Sequence, residues 1–207
     1  MQQIFNEAPV ASIIFLFTII TSLYAFYNQH VHGKFMLHPY SVNRGKHLYT
    51  LITSGLIHAD WGHLFMNMLS YYFFAFSLET FIGHWQFGIL YVASLALSDV
   101  TTILKHKDNY WYHSLGASGA VSAVVFSFIL YQPLTSMMIF PLPIPIPAVL
   151  FGILYLAYSA YASRHSSYIN HDAHFLGAIT GVVITVILHP DIVPYFINQL
   201  TGSFSGI

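Results

Sequence analysis

The sequence predicts an all-α membrane protein, a bundle of six transmembrane helices. Of its 207 residues, 56% are hydrophobic and only 6% are charged, whereas soluble proteins carry about 25% charged residues. So few charges could not cover a water-facing surface. The chain also contains six stretches that approach the roughly 20 apolar residues needed to cross a bilayer core. These stretches are about 9–27, 61–82, 85–104, 116–132, 147–163 and 173–189.

Composition also excludes several classes of protein. The formal net charge is -1, which argues against a basic surface for nucleic acid. The chain contains no cysteine, so it has no disulfide, no thiolate nucleophile and no cysteine metal site. No lysine or arginine precedes the first apolar run, so we expect a retained first helix and not a cleaved signal peptide. The expected partner is the lipid bilayer.

The segments between the spans follow from their polar residues, prolines and glycines. Prolines cannot continue a helix, so the run PLPIPIP separates the fourth and fifth spans. No repeat of fixed period is present, and we expect one six-span domain over 1–207 with no separate soluble domain. The predicted connections are a long first loop at about 28–60, a tight turn at Gly83-His84, a polar loop at 105–115, the proline-rich link at 141–147 and a short polar loop at 164–172.

Three groups of polar residues open the even-numbered spans. Those spans run in the same direction, so their N-terminal ends meet near one membrane face. His63 and Asn67 open the second span, Ser118 opens the fourth and His174 opens the sixth. His63, Ser118 and His174 each lie about one turn from the helix start, which predicts that they share one depth.

These residue types indicate nucleophilic catalysis. Polar side chains are costly in hydrocarbon and tend to be functional or to bond one another. A serine hydroxyl needs a base to accept its proton, and histidine is the usual base. Small residues let two membrane helices approach closely, so we expect His174 to reach Ser118. The small residues expected at this contact are Gly116, Gly119, Gly177 and Gly181.

An oxyanion site is expected beside the same serine. The first turn of a helix has unsatisfied backbone N–H groups and a partial positive charge, and Ser118 lies there. His63 and Asn67 are spaced four residues apart and share one helix face. Their side-chain N–H groups could complete an oxyanion hole with the Ser118 backbone.

Together these motifs resemble the rhomboid family of intramembrane serine proteases. The segment GASGA at 116–120 is similar to that family's GxSG motif, and AHFLGAITG at 173–181 is similar to its AHxxG motif. HADWGHLFMN at 58–67 is similar to the family's second-span pattern, and Glu79 falls where the family has a glutamate. The resemblance covers about 49–181, with the three motifs in the family's order.

The resemblance implies a Ser118–His174 dyad without an aspartate, and an oxyanion site formed by His63, Asn67 and the Ser118 backbone. It implies an endopeptidase that cleaves transmembrane segments of single-span or polytopic membrane proteins, with no cofactor and no metal. It also implies a multi-pass protein, which we expect in a bacterial inner membrane. Many family members have an aromatic residue four positions after the serine. This chain has Ser122 there, so His174 must be oriented in another way.

Two arguments predict opposite orientations of the protein in the membrane. All six lysines and arginines lie in the odd-numbered loops, which the positive-inside rule would place in the cytoplasm. The resemblance places these loops and the active-site opening away from the cytoplasm. We follow the resemblance, because three of the six belong to one long loop that we expect to fold against the membrane.

Each of these serine and histidine residues could also have a purely structural role. A lone membrane serine usually packs or bonds to its own helix, and a lone histidine often only packs. The alternative from another functional class is a protein without enzymatic activity, a catalytically silent rhomboid-like protein that binds membrane clients. The thirteen histidines leave two further alternatives, a metal-binding or haem-binding protein and a histidine-rich transporter. No HExxH motif is present, however.

The acidic residues are expected to have structural roles. Asp60 and Asp172 are predicted to be the N-caps of the second and sixth spans. Glu79 is predicted to be a buried carboxylate bonded to nearby backbone or hydroxyl groups. The sequence indicates no role for Asp99. Substrate is expected to enter past the fifth span, which follows Pro147, and the loop at 164–172 is expected to cap the cavity.

Overall fold

A computed structural model describes residues 2–139, 142–165 and 169–202 of the chain. Two short antiparallel strands, β1 (Ser136–Ile139) and β2 (Leu142–Pro147), and one turn of 3-10 helix, Ser54–Leu56, accompany the helices. The helices within the described ranges are α1 (Gln2–Glu7), α2 (Pro9–Tyr27), α3 (Gln29–Phe35), α4 (Pro39–Val42), α5 (Thr50–Thr53), α6 (Trp61–Ile82), α7 (His84–Ser98), α8 (Val100–His106), α9 (Ser118–Tyr131), α10 (Ala148–His165), α11 (His171–Leu188) and α12 (Ile192–Thr201).

A helix lies at each of the six predicted spans. In the described part of the chain, three helical rods are long and apolar enough to cross a membrane: Pro9–Tyr27, His84–His106, which joins α7 to α8, and His171–Leu188. Helix α9 is apolar but has only 14 residues. The protein is therefore a multi-pass membrane protein, and the exact number of six spans stays a prediction.

Helix α9 lies at the centre of the bundle. Its residues 119–129 are all buried, as expected of a helix that is apolar on every face. Its most extensive contact is with α11, and it also packs against α6 and α7. Helix α2 packs outside this group, against α6 and α7. The serine at the start of α9 is thus held by the most enclosed element of the fold.

The first turn of α2 is tied to the far end of α6 by Glu79. This side chain is fully buried, and it accepts hydrogen bonds from Val10 N at 3.1 Å and Ala11 N at 2.6 Å. His84 Nδ1 lies 2.6 Å from the same carboxylate. Helix N-termini present unsatisfied N–H groups and a partial positive charge, which a carboxylate satisfies. The prediction of a buried, backbone-bonded Glu79 is confirmed.

The predicted loops contain more structure than the sequence indicated. The first loop holds α3, α4, α5 and the 3-10 turn, and α12 follows the sixth predicted span. The proline-rich link forms strand β2, which pairs with β1 so that Ser136 lies opposite Pro147. Proline is tolerated on an edge strand because the N–H that it lacks would point away from the ladder there. The fold is mostly helical, as predicted, and this short hairpin is the feature that the sequence did not indicate.

Two odd-numbered loops meet at the end of the bundle where α9 begins. Leu37 and Ser114 form a backbone bridge, with Leu37 N donating to Ser114 O at 2.8 Å. Arg44 Nη2 lies 3.6 Å from an Asp108 carboxylate oxygen. These contacts join the segment 28–60 to the segment 105–115, so the first loop folds back onto the helix bundle.

Candidate active site

Ser118 and His174 are in direct contact. The Nε2 atom of His174 lies 2.7 Å from the Oγ atom of Ser118. Ser118 is the first residue of α9, and His174 is the fourth residue of α11. Both side chains are half-buried. At this distance the imidazole can accept the hydroxyl proton, which is the step that makes a serine nucleophilic.

The close approach of α9 and α11 depends on two glycines of α11. A side chain on Gly177 would overlap the backbone of Gly119, and one on Gly181 would overlap the backbone of Ala123. The two helix backbones are therefore in van der Waals contact below the dyad. His174 lies one turn before Gly177 on α11, so this contact holds its backbone beside Ser118.

Gly116, which precedes α9, and Gly119, in its first turn, have different neighbours. The backbone of Gly116 has φ +113°, a conformation that favours glycine. A side chain on Gly116 would meet the His63 ring and not α11. A side chain on Gly119 would meet Ser98 of α7 and the Ala173 backbone oxygen of α11, and the Gly119 backbone itself lies against Gly177. Gly119 thus faces α11, and only the expectation for Gly116 is corrected, because Gly116 makes room for His63.

The turn before α9 leaves backbone donors beside Ser118. The N-cap residue is Ala117, whose side chain makes no capping hydrogen bond. The Gly116 N–H is already used, because it donates to Ser54 O at 2.9 Å. The first N–H groups of α9 therefore have no side-chain cap, and they carry the positive end of the helix dipole.

His63 presents a ring nitrogen to the same turn. Its Cε1 and Nε2 atoms occupy the space that a side chain on Gly116 would need. The Ala59 N–H donates to Nδ1 at the long distance of 3.5 Å. An accepting Nδ1 in a neutral ring leaves the proton on Nε2, so we assign an N–H donor to the edge that faces Gly116.

Asn67 lies one turn deeper and is buried. Its Nδ2 atom donates to the His63 backbone oxygen at 3.0 Å, within its own helix. Asn67 does not line the cavity beside Ser118. The structure thus brings together Ser118, His174 and the turn that contacts His63, and it leaves the Asn67 amide bonded to α6.

A small polar cavity adjoins the serine. Its volume is about 20 Å³, which is enough for one water molecule. Asp99, to which the sequence assigned no role, ends α7 and lies in the cavity wall. The polar residues of the wall are Ser54, Ser98, Asp99, Ser114, Ser118 and Asn170.

One family of known proteins matches most of this chain. The Rhomboid domain family matches residues 45–191, which is most of the chain. The chain belongs to the rhomboid family. Two related proteins are the mitochondrial RHOMBOID-like protein 12 of Arabidopsis thaliana, 29% identical over 76% of this chain and 51% of its own length, and the mitochondrial Rhomboid protein 1 of Saccharomyces cerevisiae, 30% identical over 65% of this chain and 40% of its own length.

A rhomboid protein of Bacillus subtilis is 35% identical over 71 residues, which are 34% of this chain and 35% of that protein. This rhomboid therefore aligns with about half or less of each relative. Two of the three relatives are mitochondrial by name. They do not support the expectation of a bacterial inner membrane, and the multi-pass membrane assignment does not depend on it.

The N-cap of α11 in this rhomboid is Asn170. Its Oδ1 atom accepts from Ala173 N at 3.1 Å. Its Nδ2 atom donates to Thr102 Oγ1 at 2.9 Å and to Ser114 Oγ at 3.2 Å. One side chain therefore fixes the start of α11 against both α8 and the segment that leads into Ser118.

Asp172 is not the cap that the sequence predicted. It lies in the first turn of α11, where its carboxylate is 2.7 Å from Lys105 Nζ. The prediction was wrong because Asn and Asp are equally good N-caps, and the helix begins two residues earlier than expected. The other predicted cap is confirmed, since Asp60 Oδ1 accepts from His63 N at 2.8 Å.

Sequence reasoning missed Tyr155 of α10. Its ring is stacked against that of His174, with ring centres 6.4 Å apart and planes at 22°. Its hydroxyl lies 2.6 Å from Ser122 Oγ on α9. The fifth predicted span contains several aromatic residues, and nothing in its sequence marks which of them faces inward.

The histidines near the site do not form a metal centre. Among the residues that the structure describes, no three His, Asp or Glu side chains converge so as to hold a metal ion. His58 is fully buried, its Nδ1 atom lies 2.9 Å from Ser22 Oγ, and its ring packs edge-on against His63. Burial, with a smaller contribution from His63, lowers the pKa of His58 to about 3, so it is a neutral packing residue.

Proposed function

We propose that this rhomboid is an intramembrane serine endopeptidase that cleaves transmembrane segments of membrane proteins. The observation that carries this proposal is the 2.7 Å contact between Ser118 Oγ and His174 Nε2. A serine that only packed, or bonded to its own helix, would not need an imidazole from another helix at hydrogen-bond distance. Family membership supports the same chemistry.

The proposed reaction follows from these atoms. His174 Nε2 accepts the proton of Ser118 Oγ while this oxygen attacks the scissile carbonyl carbon. The imidazolium then donates that proton to the leaving amine as the peptide bond breaks, which leaves an ester on Ser118. A water molecule, deprotonated by His174, then attacks the ester carbonyl. The bond to Ser118 Oγ breaks, the new carboxyl group is released, and Oγ takes the proton back from His174. The residues themselves supply every proton transfer, and no cofactor takes part.

The tetrahedral intermediate carries a negative oxygen that needs donors. We assign this role to the Ser118 backbone N–H and to His63 Nε2–H, which both adjoin the turn at Gly116. Asn67 is the third proposed donor. A primary amide carries two N–H groups, so Asn67 can keep its bond to the His63 carbonyl and donate the other. Losing one such donor typically costs about 2.7–4 kcal/mol of transition-state stabilisation.

The setting of the reaction is a single domain over 1–207 with six spans and the lipid bilayer around it. The polar cavity beside Ser118 is suited to hold the water that hydrolyses the ester. Substrates would be single-span or polytopic membrane proteins that enter laterally past α10. The cap expected from 164–172 includes residues 166–168, which lie outside the described residues.

We further propose that the site opens away from the cytoplasm. Lys34, Arg44 and Lys46 lie in the first loop, which folds onto the bundle through the Leu37–Ser114 bridge. With an even number of spans, both termini then lie in the cytoplasm. A reporter enzyme fused to the C-terminus should be active in the cytoplasm, and activity on the opposite side alone would contradict this orientation.

A fluorophosphonate probe tests the proposed chemistry, because it reacts only with an activated serine. The purified wild-type protein should be labelled at Ser118, and Ser118→Ala and His174→Ala should not be. Ser94→Ala is the matched control, since Ser94 is buried in α7, and it should be labelled like the wild type. A folded wild-type protein that stays unlabelled but binds single-span proteins would favour the catalytically silent client-binding alternative.

A further inference from the structure

The ring of Tyr155 lies beside the His174 imidazole in an offset stack, with ring centres 6.4 Å apart. We propose that Tyr155 is a positioning residue that orients His174, with Ser122 as its hydrogen-bonding partner, and that it replaces an aromatic side chain carried by α9 itself. This inference rests on the proposed function, because it concerns the base of the proposed dyad. It assigns a role to a residue of α10 that no motif of the sequence marked.

His174 needs such a contact because it lacks a carboxylate partner. In the part of the chain that the structure describes, the imidazole makes one hydrogen bond, in which Nε2 accepts from the Ser118 hydroxyl. The His171 ring lies edge-on at 5.7 Å, but the imidazole can still rotate about its Cβ–Cγ bond, and this rotation would turn the lone pair away from the hydroxyl. A ring stacked beside the imidazole favours one orientation, because aromatic pairs attract one another at centre distances of 4.5–7 Å. The Tyr155 ring lies within this range, at 6.4 Å.

Tyr155 is itself held from three sides. Its hydroxyl bonds to Ser122 Oγ at 2.6 Å. Its ring centre lies 5.6 Å from that of Phe126 on α9 and 5.8 Å from that of Phe151 on α10. The hydroxyl bond fixes one end of the ring and the two phenylalanines fix its sides. Because the Tyr155 ring is fixed in this way, it can hold the neighbouring imidazole in one orientation.

Ser122 explains why the ring comes from another helix. This serine is buried on α9, four residues after Ser118. A small side chain there leaves space for Tyr155 and supplies a hydroxyl to anchor it. A large aromatic residue at position 122 would compete for the same space. Because α10 carries the tyrosine, any displacement of α10 from α9 would withdraw the ring from His174.

The test is the rate at which Ser118 reacts with a fluorophosphonate in the full-length protein. Tyr155→Leu should lower this rate about 2- to 12-fold, the factor that corresponds to the loss of one aromatic pair. Tyr155→Phe keeps the ring and should lose less. Tyr161→Leu is the matched control, because Tyr161 is a tyrosine of the same helix that is 63% exposed and stacks on His165, not on His174. It should keep the wild-type rate, and equal losses in Tyr155→Leu and Tyr161→Leu would overturn the proposal.

A ring supplied from α9 gives a second, independent test. The exchange Tyr155→Ser with Ser122→Tyr keeps the total volume and returns the aromatic residue to α9. It should restore the labelling rate that Tyr155→Ser alone loses, and with a peptide substrate the change should lie in kcat and not in KM. If the folded exchange variant is as slow as Tyr155→Ser, the proposal is wrong. An unlabelled wild-type protein would instead contradict the proposed function.

If Tyr155→Leu does not fold, the hydroxyl bond still tests the proposal. Ser122→Ala and Tyr155→Phe each remove the same bond, so each should slow labelling by a similar small factor. The double variant should be no slower than either single variant, because the bond can be lost only once. Labelling at the wild-type rate in all three variants would contradict a positioning role for this pair.

Discussion

Gly177 of α11 lies directly against the backbone of Gly119 of α9, one turn below the Ser118–His174 contact. A side chain at position 177 would overlap the Gly119 carbonyl group. The distance between serine and histidine is therefore set by a contact between two backbones, which can move only if the helices part. Packing and chemistry are coupled at this one place in the fold.

Replacing Gly177 by alanine should separate the two helices. The added methyl group meets backbone on α9, and backbone cannot rotate away as a side chain could. Overpacking of this kind costs about 1–3 kcal/mol, so we expect a lower midpoint of thermal unfolding in detergent. Labelling by fluorophosphonate should fall further than stability does, because the dyad also separates.

The matched control for this variant is Gly33→Ala. Gly33 is also a helical glycine, in α3, and a side chain there meets nothing within 4 Å. This variant should keep both stability and labelling. Unchanged labelling in folded Gly177→Ala would show that the backbone contact does not set the geometry of the dyad.

Gly116→Ala should damage the site in a different way. Its φ of +113° is unfavourable for alanine, and the methyl group would meet the His63 ring. The backbone strain costs about 1–3 kcal/mol, and displacement of His63 removes a proposed oxyanion donor. The kcat for a peptide substrate should therefore fall more than the stability alone would explain.

Gly45→Ala separates strain from the contact with His63. Gly45 also has a positive φ, of +70°, but it has open space around it. This variant should lose stability and keep kcat. If the two variants lose kcat equally, the contact between Gly116 and His63 has no part in the reaction.

Glu79→Gln should loosen the first turn of α2. The carboxylate accepts from the two backbone N–H groups of Val10 and Ala11 with separate oxygens, whereas a glutamine amide has only one accepting atom. One buried donor would lose its partner, at a cost of about 1–3 kcal/mol. The loss is measured as a shift of the unfolding midpoint. His84→Ala removes only a partner whose side chain is 57% exposed, and it should cost clearly less.

The buried His58 predicts a dependence of stability on pH. Its pKa is about 3 in the folded protein, below the usual 6.5, so the unfolded state binds the additional proton. The stability from a neutral His58 is complete above about pH 6.5 and is lost as pH falls toward 3. Between pH 6.5 and 5 the loss should be about 2 kcal/mol. His58→Gln should flatten this part of the curve, and an equally steep curve in that variant would contradict the assignment.

The contact of Ser118 with His174 could be expected from the sequence. Spans with the same parity run in the same direction, and each of three such spans has a polar residue in its first turn. Asp60 was identified for a similar reason, since it directly precedes the apolar run of α6. These inferences need only the positions of the apolar runs and the alternating direction of successive spans, and both can be read from the sequence.

Other features depend on helix rotation and exact boundaries, which the sequence does not provide. Tyr155 faces inward because of how α10 packs, and its span is too uniformly apolar to show a face. Asn170 and Asp172 are both good caps, so only the true start of α11 distinguishes them. Strand β2 was missed because a proline-rich run excludes a helix without indicating a strand.

The central claim is that Ser118 cuts a peptide bond within a membrane segment with His174 as its base. The most direct measurement incubates the purified protein, reconstituted in lipid, with a panel of single-span membrane proteins and maps the products by mass. The account predicts a discrete cut within or beside the span of at least one substrate, which both Ser118→Ala and His174→Ala abolish. Cleavage at the same bond by Ser118→Ala, or no cleavage of any substrate by a folded wild-type protein, would contradict it.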